Sequence, residues 1–135
     1  MRVQGEHEQY VELERSSFGE PGTPADRDLL LNIAVQVEGY SAADQAWVAA
    51  GEWRAFLTRL RDLERSRRGE AALEGASPRS LRLVFRSTDA LGHMAVMGHV
   101  GWDTPDGFSR RLEFGFRFDP SLLPALVRDF EALGR

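Results

Sequence analysis

The chain contains no cysteine. This excludes disulfides, a thiol nucleophile and cysteine metal sites, and it fits a reducing compartment. Lysine is missing too, so every basic side chain other than histidine is arginine. No apolar run approaches the ~18 residues of a membrane span. The first residues are acidic and lack the apolar centre of a secretory leader, so the expected location is cytoplasmic. Excess positive charge is also lacking: the net charge is −4, which argues against general nucleic-acid binding. No phosphate-binding loop, dinucleotide fingerprint or G-x-S-x-G is found.

What remains is an ordinary globular composition, 135 residues with 42% hydrophobic and 28% charged. It predicts a single domain over residues 1–135 with a substantial core. Residues 1–8 are expected to fray, and the Gly/Pro-rich stretch 15–27 reads as loop. Charge is uneven. Residues 1–44 hold nine acids against Arg2, Arg15 and Arg27, and the remainder is slightly basic.

Residues 108–133 dominate the pattern. Phe108, Arg110, Leu112, Phe114, Phe116 and Phe118 alternate with polar residues, as in a half-buried strand. Asp119 is placed to cap a following helix with Pro120 at its first position, and Leu122, Leu123, Leu126, Phe130 and Leu133 form its apolar stripe. Upstream, residues 28–38 alternate strongly, with Leu29, Leu31, Ile33, Val35 and Val37 on one face. Residues 39–41 turn the chain into a partner strand at 43–49. Residues 52–67 place Trp53, Phe56, Leu57, Leu60 and Leu63 at helical spacing, with no side-chain oxygen at Ala50 or Gly51 to cap the start. A short strand at 70–74, a loop at Pro78, and strands at 80–87, 92–102 and 108–118 complete a meander. The expected fold class is α+β: a single, mostly antiparallel sheet with the two amphipathic helices packed on one face.

Candidate chemistry is sparse. His93 and His99 would lie roughly 20 Å apart along one strand, too far to share a metal. Asp26 and Asp28 form a D-x-D without the further acids of a calcium loop. Asp119 is accounted for by capping, and Trp47, Trp53 and Trp102 by the core or its rim. No catalytic residue, cofactor or metal site is expected. One surface is distinctive. Arg82, Arg86, His93, His99, Arg111 and Arg117 all point outward from three neighbouring strands, where a solvated face of ion pairs competes with a partner-binding face.

The order of features resembles the WapI-type immunity proteins of bacterial polymorphic and contact-dependent toxin systems. Tyr10-Val11-Glu12-Leu13 matches their Y-x-x-L strand, and the long alternating strand from Leu29 to Val37 follows. Trp53, Phe56 and Leu60 match the helix stripe, and Gly69-Glu70-Ala71 the stretch after it. The closing segment runs from Phe114 to Leu123, with Pro120-Ser121 where the family has Gln-Thr. The resemblance covers roughly residues 9–133 and implies a non-enzymatic protein that binds and neutralises a cognate toxin domain, without cofactor, nucleic acid or membrane. Two surfaces are candidates for partner binding: the acidic Glu12, Glu14, Asp26 and Asp28 (with Glu6 and Glu8), and the basic Arg82, Arg86, Arg111 and Arg117. Charge complementarity to basic, nucleic-acid-attacking toxins favours the acidic one. The alternative is a small-molecule-binding or enzymatic domain with a pocket between sheet and helices.

Overall fold

Apolar alternation with a period of two builds two separate antiparallel sheets, where the sequence suggested one. The computed structural model describes residues 1–77 and 80–135, so the loop expected at Pro78 lies outside the described residues. The first sheet holds β1 (Arg2–Gln4), β2 (Tyr10–Phe18), β3 (Leu29–Val37) and β4 (Tyr40–Val48), in that order. After α1 (Ala50–Ser66), the second holds β5 (Glu70–Glu74), β6 (Leu81–Ser87), β7 (Met94–Asp103) and β8 (Ser109–Phe118). A 3-10 turn at Pro120–Leu122 leads into α2 (Leu123–Leu133).

The division has a physical cause. Each sheet is a run of sequence neighbours, and α1 interrupts the run after β4. Each carries one apolar face, and the buried residues of two helices are too few to cover eight strands. The inner faces of both sheets therefore join the helices in a single core. Alternation shows which face of a strand is buried, but not what covers it. Between the sheets, an isolated bridge joins Gly5 to Phe118, and the Ala76 N–H donates to the Trp47 carbonyl at 2.7 Å.

Phe85 sits at the centre. Its ring lies 5.6 Å from Phe130 of α2 and 6.1 Å from both Phe56 of α1 and Phe118 of β8. Phe56 and Phe130 meet edge to face at 4.9 Å. The space between sheet and helices, where a ligand pocket was the alternative expectation, is filled by these rings.

Several segments differ from expectation. Residues 2–4, expected to fray, form β1, where Val3 is fully buried and the Met1 ammonium donates to the Leu13 carbonyl at 2.7 Å. The stretch expected as loop from residue 15 is strand as far as Phe18, because its polar residues face solvent in a strand that pairs with β3 through a bulge between Arg15 and Ser17. Trp47, Trp102 and Phe108 are exposed rather than core. Trp102 keeps the predicted alternation but lies where the β7–β8 hairpin outruns the core, and Phe108 falls in the turn before β8 rather than on the strand. His93 precedes β7 instead of lying on it, and Asp89 holds its Nδ1 at 2.5 Å.

The start of α1 is capped from a distance, and Asp119 caps the 3-10 turn that leads into α2. The Asp28 carboxylate accepts from the Ala50 N–H at 2.8 Å, supplying to α1 the cap that its own flanking residues lack. Asp119 accepts from the Ser121 N–H at 2.9 Å. That hydrogen bond holds the Asp119 carboxyl below its ordinary 3.8. A depressed carboxylate stabilises the fold above its unfolded value and loses that contribution as pH falls through the folded one. Asp119→Ala is therefore expected to lower the melting temperature at neutral pH. The gap from wild type should close as the buffer is taken below pH 3.8, and a gap independent of pH would contradict the cap.

The far end of α2 is tied to the first sheet. The Arg15 guanidinium donates to the carbonyls of Leu133 and Arg135, each at 2.6 Å, and Arg27 donates to that of Gly134 at 3.1 Å. Cations at a helix C-terminus satisfy its open carbonyls and oppose its dipole. No helix among the described residues is long and apolar enough to cross a membrane.

Candidate functional site

The outer face of the first sheet is set by the same alternation that buries Val11, Leu13, Ile33 and Val35 on its inner face. Successive cross-strand rows on this face are Ser17, Leu30 and Trp47; Glu14, Asn32 and Gln45; Glu12, Ala34 and Ala43; and Tyr10, Gln36 and Ser41. Small residues at Ala34 and Ala43 leave a shallow groove of about 530 Å3, with Glu12 and Glu14 along one side. Asn32 and Gln45 close one row through a 2.6 Å amide hydrogen bond. Trp47 stands on the same face one row beyond Gln45, outside the groove lining, and is 42% exposed.

The acidic residues singled out from sequence divide into two groups. Glu12 and Glu14 stand together on this face. Glu12 is paired with Arg2 at 2.8 Å, and that guanidinium also covers the Tyr10 ring. Glu14 has no ion pair among the described residues. Asp26 accepts from the Gly22 N–H within its loop, and Asp28 is occupied by the start of α1. Glu6 and Glu8 belong to the β1–β2 turn, where His7 and Glu8 adopt positive φ. Of these acids, Glu12 and Glu14 share the outer sheet face, Glu12 tied to Arg2 and Glu14 without an ion pair among the described residues.

The four arginines lie on the outer face of the second sheet, as their alternation indicated. Arg82 and Arg86 stand on β6 and Arg111 and Arg117 on β8, with Ala95, Met97 and His99 of β7 between them. Two are neutralised locally: Arg82 by Glu74 at 3.4 Å and Arg111 by Glu113 at 3.2 Å. Arg86 and Arg117 flank Ala95 in one row, about 10 Å apart by strand spacing. Exposed pairs of this kind contribute little to stability, ~0.2–1 kcal/mol each.

Among the described residues no three His, Asp or Glu side chains converge to hold a metal. Asp89 is held below the usual carboxylate range, first by its contact with His93 and then by the N–H groups of Leu91 and His93. That exposed pair braces the β6–β7 turn. Sequence reasoning missed the groove and the exposure of Trp47. The available signal was the outward row from Ala34 to Ala43, small residues opposite each other in a hairpin.

The model of one protein family, described as the immunity protein WapI-like family, matches residues 2–134. Neither curated proteins nor solved structures gave a match.

Proposed function

This chain belongs to the WapI-like immunity protein family, and on that premise we propose that the groove on β2–β4 is where its cognate toxin docks. Members of the family act without enzymatic turnover, by neutralising that toxin. The observation that favours this face is Glu12 and Glu14 along a groove floored by Ala34 and Ala43, with the exposed Trp47 on the same face two rows away. Aromatic anchors bordered by charge are the usual composition of a binding hot spot, and acidic side chains speed encounter with a basic partner. The same charge repels nucleic-acid phosphates, which favours a protein partner over a nucleic acid. Ion pairing takes up half of the candidate charges on each face, Arg2 holding Glu12 here and Glu74 and Glu113 holding Arg82 and Arg111 there, so the choice rests on the groove and the acidic charge.

The test uses the C-terminal domain of the protein encoded next to this one. Co-expression should restore growth, and mixing should give a stoichiometric complex. Glu12→Lys combined with Glu14→Lys should weaken that complex about tenfold at low salt and less at high salt. The melting point should fall only modestly, because Glu12→Lys breaks the Arg2 pair and sets two cations opposite each other, a cost of about 0.2–1 kcal/mol. Asp28 is left intact, because changing it would uncap α1. Undiminished binding by the double variant would move the docking surface elsewhere.

A further inference from the structure

The four sheet edges are protected unequally. β1 is three residues long, β5 lies against α1, and β8 carries Arg110, Arg111, Glu113 and Arg117. β4 is nine residues long, contains no proline and has Asp44 as its only charge. Long edges without charge or proline accept a strand from another chain, and folded proteins ordinarily avoid them.

The backbone groups open on this edge can be assigned. The Trp47 carbonyl accepts from Ala76, which lies outside the sheet, so it points away from β3. Antiparallel ladders alternate, and Ser41, Ala43 and Gln45 therefore turn the same way. The Gln45 N–H is already taken by the Asp44 carboxylate at 2.8 Å. Among the described residues the N–H and C=O of Ser41 and Ala43, and the C=O of Gln45, have no hydrogen-bond partner on this side, where β7 of the second sheet approaches the strand. Beside residues 41–44 runs a cleft of about 320 Å3, whose opposite wall includes Arg110 and Arg111. Arg111 is paired with Glu113, and Arg110 has no ion pair among the described residues.

We propose that the free edge of β4 takes up an extended segment of the cognate toxin as a fifth strand of the first sheet, with Arg110 receiving a carboxylate from that segment. This rests on the immunity function and adds its mode of recognition. Backbone hydrogen bonds from residues 41–45 supply affinity, and the Arg110 cleft supplies selectivity. Ala43 and Gln45 also line the acidic groove, so strand and groove form one continuous surface. A toxin segment fits better than a second copy of this chain. Two β4 edges placed together offer Arg110 only Asp44, whose carboxylate already holds the Gln45 N–H.

Ala43→Pro tests this without touching the β3–β4 ladder, whose bonds come from the alternate residues. With a catalytically inactive form of the neighbour-encoded C-terminal domain as probe, Ala43→Pro should lower affinity at least 30-fold and Arg110→Glu about tenfold, while Ala43→Ser binds like wild type. Amide exchange in the wild-type protein gives a readout independent of variants: the Ala43 N–H should slow at least 100-fold in the complex. A complex that forms without protecting Ala43 overturns the strand proposal and leaves the immunity function standing. No complex with wild type overturns both. Protection of Ala43 in the isolated protein, rising with its concentration, assigns the edge to self-association and overturns the proposal.

Discussion

Alanine at Phe85 is expected to destabilise the protein by about 3–5 kcal/mol. The ring is fully buried and touches one aromatic ring from each helix and one from β8. Its removal takes away the burial of a large apolar side chain and leaves a cavity where three elements meet. Those elements cannot close together, because α1, α2 and β8 are held by separate ladders and caps. Edge-to-face geometry adds about 0.5–1.5 kcal/mol per pair beyond the buried area. Urea unfolding should show the loss as a lower midpoint with an unchanged slope. A cost below 1 kcal/mol would mean that the helices do not pack on the second sheet through this ring.

Alanine at Gly101 should cost about 2–4 kcal/mol, from backbone strain and overpacking together. Gly101 has φ +106°, and a Cβ there would lie 1.9 Å from the Arg110 carbonyl oxygen of the neighbouring strand. Backbone cannot move aside as a flexible side chain can, so the β7–β8 ladder must distort. Gly101 also borders the cleft beside β4, so toxin affinity should fall with stability. Thermal unfolding combined with titration separates the two losses. A variant within half a kilocalorie of wild type would show that β8 does not pair with β7 at Gly101 and Arg111.

The elements were largely legible in the sequence, because each carries a local signal. Alternation located β3, β6, β7 and β8, and the spacing of Trp53, Phe56, Leu60 and Leu63 located α1. The capping role of Asp119 was readable from Pro120 beside it. What could not be read was long-range. The Asp28 carboxylate caps a helix that begins 22 residues later, and no local pattern announces that contact. Val3 was hidden in a short polar stretch, since a three-residue strand has too few positions to show a period. Two sheets were read as one because apolar alternation is the same whether helix or sheet covers it. For the site, the side-chain directions of Glu12, Glu14 and the four arginines followed from parity alone. The engagement of Asp26 and Asp28 by backbone N–H groups depended on chain geometry that spacing does not encode.

The order of strands within each sheet has a consequence for how the molecule is assembled. Every ladder joins neighbours in sequence, so pairing closes only short loops, such as the two-residue turn at Glu38 and Gly39 between β3 and β4. Loop entropy grows with length, and short closures come early. The contacts that unite the halves are of another kind: Arg15 reaches Leu133 across 118 positions. Pairing within each sheet is therefore expected to precede the aromatic cluster, which would leave one apolar side of each sheet uncovered until the halves join. During that interval the bare edge of β4 is matched by a bare face behind it. A newly made chain is then most exposed to unwanted pairing along the very strand offered to its partner.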